Sequence, residues 1–118
     1  MDKIGALKSI DGFLAAALVD SNSGLVIESM SNGVFPVEVA AAFNTQVVQA
    51  KLNAMDAIGL GDDTIEDILI SLGTQYHLIR PLKANRVIFI YIALDRKKAN
   101  LGMARAVLRN VEEDIKGL

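Results

Sequence analysis

The hydrophobic and polar positions of this chain fall into several short apolar runs and two longer periodic ones. The longest run, Phe35 to Ile58 (FPVEVAAAFNTQVVQAKLNAMDAI), reads as a helix. Pro36 stands at its first turn, where a missing N–H costs nothing, and Gly59 follows as a stop. On a helical wheel the apolar residues form two stripes. One carries Val39, Ala40, Phe43, Val47, Ala50, Ala54 and Ile58. The other carries Val37, Ala41, Val48, Leu52 and Met55, with Asn44 and Lys51 between the two. Glu38, Thr45, Gln49, Asn53 and Asp56 make up the polar side. A helix lying on one core needs one stripe. Two stripes leave two readings: a helix buried all round in its own domain, or a helix with its sheet on one side and a second molecule on the other. The second is favoured, because a chain of 118 residues rarely wraps a helix completely.

The other runs follow in order. Residues 2–11 read as a short helix that Asp2 caps and Gly5 weakens, with Ile4, Leu7 and Ile10 on one face. Phe13 to Asp20 (FLAAALVD) is apolar throughout, the pattern of a strand covered on both faces. A Ser-Asn-Ser-Gly turn joins it to a strand from Leu25 to Met30, making a hairpin. After the long helix, Thr64–Leu72, Gln75–Leu82 and Arg86–Leu94 read as three more strands, the second closed by Pro81. In the last, Ile88, Ile90, Ile92 and Leu94 alternate with Val87, Phe89, Tyr91 and Ala93. Both faces are apolar, which places this strand at the sheet centre. A final helix starts at Asn100, the better cap because Lys97 and Lys98 oppose the dipole of a helix begun earlier. Its single stripe is Leu101, Ala104, Leu108, Val111 and Ile115. The expected fold is α+β, in the order α-β-β-α-β-β-β-α. It has a five-stranded, mainly antiparallel sheet with helices on both faces, and one domain over residues 1–118.

Composition narrows the chemistry. The chain is 52% hydrophobic but only 5% aromatic, so Ala, Val, Ile and Leu do the packing, and the surplus again points to an interface. Net charge is −2 with the charges dispersed, which is no nucleic-acid footprint. No cysteine is present, removing disulfides, thiolate catalysis and Cys-ligated metal. His77 is the one histidine; it reads as a structural or surface residue, with no nucleophile and orienting carboxylate to join it. The Gly59-Leu60-Gly61-Asp62-Asp63 loop lacks the spacing and the lysine of a phosphate loop. Asp62, Asp63, Glu66 and Asp67 form an acidic cluster that reads as a solvated face rather than a cation site. Arg80, Arg86, Arg96, Arg105 and Arg109 are each formally able to reach into a partner's phosphate-transfer site, with nothing to single one out. The start of the chain, MDKIGALKSID, is amphipathic rather than a signal peptide, and no apolar run spans a membrane. The expectation is a cytoplasmic protein without catalytic residues, cofactor or metal.

Two segments carry a family resemblance. Gly12-Phe13-Leu14-Ala15-Ala16-Ala17-Leu18-Val19-Asp20, running into Ser23-Gly24-Leu25-Val26-Ile27-Glu28-Ser29, resembles the first hairpin of the dynein light-chain/roadblock superfamily. Ile88 to Asp95, followed by Ala99-Asn100-Leu101-Gly102-Met103-Ala104-Arg105, is similar to its last strand and the Asn-Leu-Gly start of its final helix. The likeness is to the short stand-alone bacterial members. It implies a homodimer in which the third strands, here Thr64–Leu72, pair edge to edge and the long helices pack side by side. The interface so implied comprises Val37, Ala41, Asn44, Val48, Lys51, Leu52 and Met55 on the helix, and Glu66, Ile68, Leu69 and Ile70 on the strand. It further implies a small Ras-like GTPase as partner, scaffolded or regulated. Glu38, Thr45, Gln49, Asn53 and Asp56 are the surface proposed to meet it. The alternative is a ligand-sensing or signalling adaptor domain with no GTPase partner, against which stands the want of convergent polar groups framing a pocket.

Overall fold

A computed structural model describes residues 2–116 and 118. A short 3-10 helix, Gly5–Ser9, leads into β1 (Phe13–Asp20) and β2 (Leu25–Ser31). Then come α1 (Val37–Ala57), β3 (Ile68–Ser71), β4 (Gln75–Pro81), β5 (Ile88–Asp95) and α2 (Leu101–Asp114). The strands form one sheet in the order β2-β1-β5-β4-β3, and every neighbouring pair is antiparallel.

The central place of β5 follows from its two apolar faces. Ile88, Ile90, Ile92 and Leu94 join Leu18, Leu78, Leu108, Leu7 of the 3-10 helix and Ile4 just before it in the lower layer. Phe89, Tyr91 and Ala93 join Ala15, Ala17 and Val19 under α1 in the upper layer. The alanines of β1 let α1 lie close to the sheet. Gly12 is needed at the start of β1: its φ is +85°, and a Cβ there would come within 2.8 Å of the Asp95 carbonyl oxygen. Asn100 caps α2, its Oδ1 accepting the Met103 N–H at 3.0 Å.

Three expectations about extent are corrected. The helix expected over residues 2–11 is one 3-10 turn, held by the Asp2 carboxylate on the Gly5 N–H. The Glu28 carboxylate of β2 accepts the Lys3 and Ile4 N–H groups and pins the segment to the sheet. The fifth strand starts at Ile88 rather than Arg86, because Ile88 N–H closes a turn on Asn85 O. The third strand is shortened from Thr64–Leu72 to Ile68–Ser71. Its partner explains the loss at the front. Leu82 N–H bonds Ile88 O, so by alternation the nitrogen of Pro81 turns toward β3, where proline has no proton to give. Asp67, just before Ile68, is drawn instead to Arg105 of α2, at 2.9 and 3.2 Å.

Candidate interaction surface

The long helix α1 carries more apolar surface than its sheet hides. Val37, Ala41 and Val48 are buried against Ala15, Ala17, Val19, Phe89 and Tyr91. Met55 is buried too, and so is Asn44. This corrects the interface implied above: Val37, Ala41, Asn44 and Val48 face the chain's own sheet and are covered there, while Met55, also buried, lines the groove described below. The other stripe is largely bare, although Ala40 and Val47 are half-buried against the upper layer. Val39 is 59%, Phe43 65% and Ile58 66% exposed, and Ala50 and Ala54 are exposed between them. Of the helix residues assigned to the interface, Lys51 is exposed and Leu52 half-buried.

Asn44 faces inward because the sheet offers it a polar neighbour. Its amide lies near the Tyr91 hydroxyl, whose pKa is pushed up to about 12 by burial, a rise that the Asn44 amide partly opposes. Tyr91 Oη lies 3.2 Å from His77 Nδ1, and His77 Nε2 lies 2.7 Å from Gln75 Oε1. Because Gln75 Oε1 only accepts, Nε2 carries the proton of the neutral ring and Tyr91 donates to Nδ1. Phe35 meets the His77 ring edge-on at 6.1 Å. Half-buried among these groups, His77 has its pKa lowered by desolvation. The chain of bonds ends at the Gln75 amide, so it ties β4 to β5 beneath α1 rather than activating a nucleophile.

Beside the bare stripe runs an open groove of about 830 Å³. Val47, Ala50, Lys51 and Ala54 of α1 form one wall; Ile65, Glu66 and Ile68 form the other. The strand there, β3, is one edge of the sheet and bonds only β4 among the described residues. Ile68, Leu69 and Ile70 are each partly exposed along it. The opposite edge, β2, is unlike it: its register with β1 slips between Leu18 and Val19, a bulge that blunts an edge against further pairing. The pairing of β3 with β4 runs without a slip.

No family model and no curated protein matches the chain. Solved structures do. The chain is similar to Myxococcus xanthus MglB at 16% identity and TM-score 0.72, over 86% of this chain and 78% of that one. It is similar to the Roadblock/LC7 domain from Streptomyces avermitilis at 14% identity and TM-score 0.75, over 92% and 87%. The gliding protein MglB from Thermus thermophilus superposes with a TM-score of 0.69 at 14% identity, over 96% and 90%. The chain has the roadblock fold.

On this roadblock frame the polar residues assigned to a partner divide. Glu38, Asn53 and Asp56 are exposed. Thr45 and Gln49 are half-buried and already engaged, Thr45 donating to Ala41 O at 3.2 Å and Gln49 Nε2 to Ser21 O at 3.3 Å. Two residues that nothing in the sequence connects form a buried ion pair in the lower layer. Arg80 Nε lies 2.5 Å from Glu112 Oε1, and Glu112 Oε2 accepts the Lys83 N–H at 2.8 Å. The signal for Arg80 was its place among Leu78, Ile79 and Leu82 at the apolar end of its strand. Asp67 is likewise taken up by Arg105. Among the described residues, no three His, Cys, Asp or Glu side chains gather where they could hold a metal ion, and no helix is long and apolar enough to cross a membrane.

Proposed function

We propose that this chain is a non-catalytic, cytoplasmic interaction module that pairs with a second copy of itself and, as a pair, scaffolds or regulates a small Ras-like GTPase. One observation carries the pairing: the bare apolar stripe of α1 lies beside the regular, unpaired edge of β3. Strand pairing across a two-fold axis normal to the sheet joins two five-stranded sheets and keeps both α1 helices on one face. A stable pair buries roughly 1,200–2,000 Å² in total, more than a four-residue edge provides. The outer stripe of α1 (Val39, Phe43, Val47, Ala50, Ala54) is therefore part of the contact, in place of the inner stripe. Lys51, Leu52, Glu66, Ile68, Leu69 and Ile70 remain in it. The GTPase rests on the likeness to the roadblock family, and the exposed Glu38, Asn53 and Asp56 are the polar flank left for it.

The test is the solution mass and GTP turnover of this protein mixed with a small Ras-like GTPase loaded with GDP or GTP. A dimer that joins the GTPase and changes turnover is a regulator; one that joins without changing turnover is a scaffold. A monomer, or a dimer that binds no GTPase, overturns the reading. The groove beside α1 favours a second reading, a ligand-sensing module, which a small molecule retained in native mass spectra would support. Leu69→Pro provides the direct check on the edge, since it removes a donor from the strand. A soluble, fully dimeric Leu69→Pro protein would count heavily against pairing through β3.

A further inference from the structure

We infer that opposite charges at the two ends of β3 set the direction and register of self-pairing, with Glu66 of each chain meeting Arg96 of the partner subunit. The inference rests on the β3 pairing proposed above. It starts from what surrounds the strand. At its front end stand Glu66 and Asp67, with Asp63 farther out beside Lys83 and Arg86; at its back end, where the chain of β5 turns toward α2, stands Arg96. Asp67 is neutralised within the chain by Arg105. Glu66 is not: it is exposed, and it adds only a weaker attraction to the upward push that Asp67 gives the Arg105 pKa. Among the described residues the ion pairs are Arg80–Glu112 and Arg105–Asp67, so Glu66 and Arg96 are both without an opposite charge in contact.

Arg96 is held at the back end of the strand. Its Nη1 donates to Leu72 O at 2.9 Å and its backbone N–H to Thr74 O at 3.0 Å. The guanidinium lies 4.9 Å from the Tyr76 ring centroid, a stacked position that fixes a long side chain at small entropic cost. Directly opposed residues in antiparallel strands share a face. About an axis normal to the sheet, β3 therefore pairs with residues of its own parity. Centred on Leu69, the pairing sets Glu66 opposite Leu72 of the partner subunit; centred on Ile70, opposite Thr74 of the partner subunit. These are the two residues to which Arg96 is bonded. A parallel arrangement would set Glu66 against its own copy.

The experiment is charge reversal followed by sedimentation. Glu66→Arg and Arg96→Glu each place like charges at both ends of the pair, and each is expected to weaken dimerisation about tenfold or more. Mixed in equal amounts, the two variants form a heterodimer in which both contacts are again opposite in sign, so the wild-type dissociation constant returns. The double variant Glu66→Arg/Arg96→Glu restores it in a homodimer. Circular dichroism checks that each variant is folded. Should Arg96→Glu fail that check through loss of its Leu72 bond, Arg96→Gln keeps a donor and weakens dimerisation to a smaller extent. A wild type that is monomeric removes the pairing reading and this inference together. A dimeric wild type whose single variants keep its dissociation constant, or whose mixture gains nothing, removes this inference alone.

Discussion

The two helices of this molecule lie on opposite faces of one sheet and do different work. α2 has one apolar stripe, and the sheet covers it: Ala104, Leu108 and Val111 are buried. Two ion pairs, Arg80–Glu112 and Arg105–Asp67, fasten it to β4 and to the start of β3. α1 is longer, makes no ion pair among the described residues, and buries one stripe while exposing another. The contrast separates a helix that completes a core from one that completes a core and presents a surface. Apolar residues on α2 answer to the stability of the chain; those on the outside of α1 answer to whatever covers them.

Substitutions sharpen that contrast, beginning with the strongest. Glu112→Ala leaves the Arg80 guanidinium buried without a counter-charge, and it should cost about 3–5 kcal/mol in chemical denaturation. A loss under about 1 kcal/mol would mean that the pair does not fasten α2. Asn100→Ala removes the cap of the same helix and should cost about 1 kcal/mol, whereas α1 has no side-chain cap to lose. Phe43→Ser, on the bare stripe of α1, should change unfolding of the dilute monomer by no more than about 0.5 kcal/mol while weakening self-association. If it unfolded the monomer as readily as Glu112→Ala, the two helices would not differ in the way described.

The smallest effect is one of pH. Burial lowers the His77 pKa in the folded state below its ordinary 6.5, so the native state favours the neutral ring that Tyr91 and Gln75 require. The contribution is complete above pH 6.5. It is lost as pH falls from there through the folded-state value, because the unfolded chain takes up the proton first. Thermal melts should thus show a decline in that window that His77→Gln lacks. An identical decline in the variant would assign it to other groups.

Much of the fold was legible because its signals are local. The alternation of β5, the Gly24 hairpin, Pro36 and Gly59 around α1, and Asn100 at α2 each act through near neighbours in sequence. The front of β3 was not legible. Thr64 and Ile65 favour a strand and Glu66 and Asp67 do not, but whether the segment pairs depends on the direction in which Pro81 turns its nitrogen, a matter settled by the register of β4 against β5. Nor was the fate of Arg80 legible, since its partner Glu112 lies a whole strand and most of a helix further on.

The candidate surface divides along the same line. Periodicity alone established that α1 carries two apolar stripes, because the wheel position of each residue follows from helical geometry. It did not establish which stripe faces inward, for Val37, Ala41 and Val48 are no more apolar than Val39, Phe43 and Val47. The sheet decided that: Ala15 and Ala17 offer a close floor, and the Tyr91 hydroxyl gives the buried Asn44 a polar neighbour. Hydropathy ranks residues one at a time, whereas the choice between two equal stripes rests on shape and polarity across elements that meet only in the folded chain.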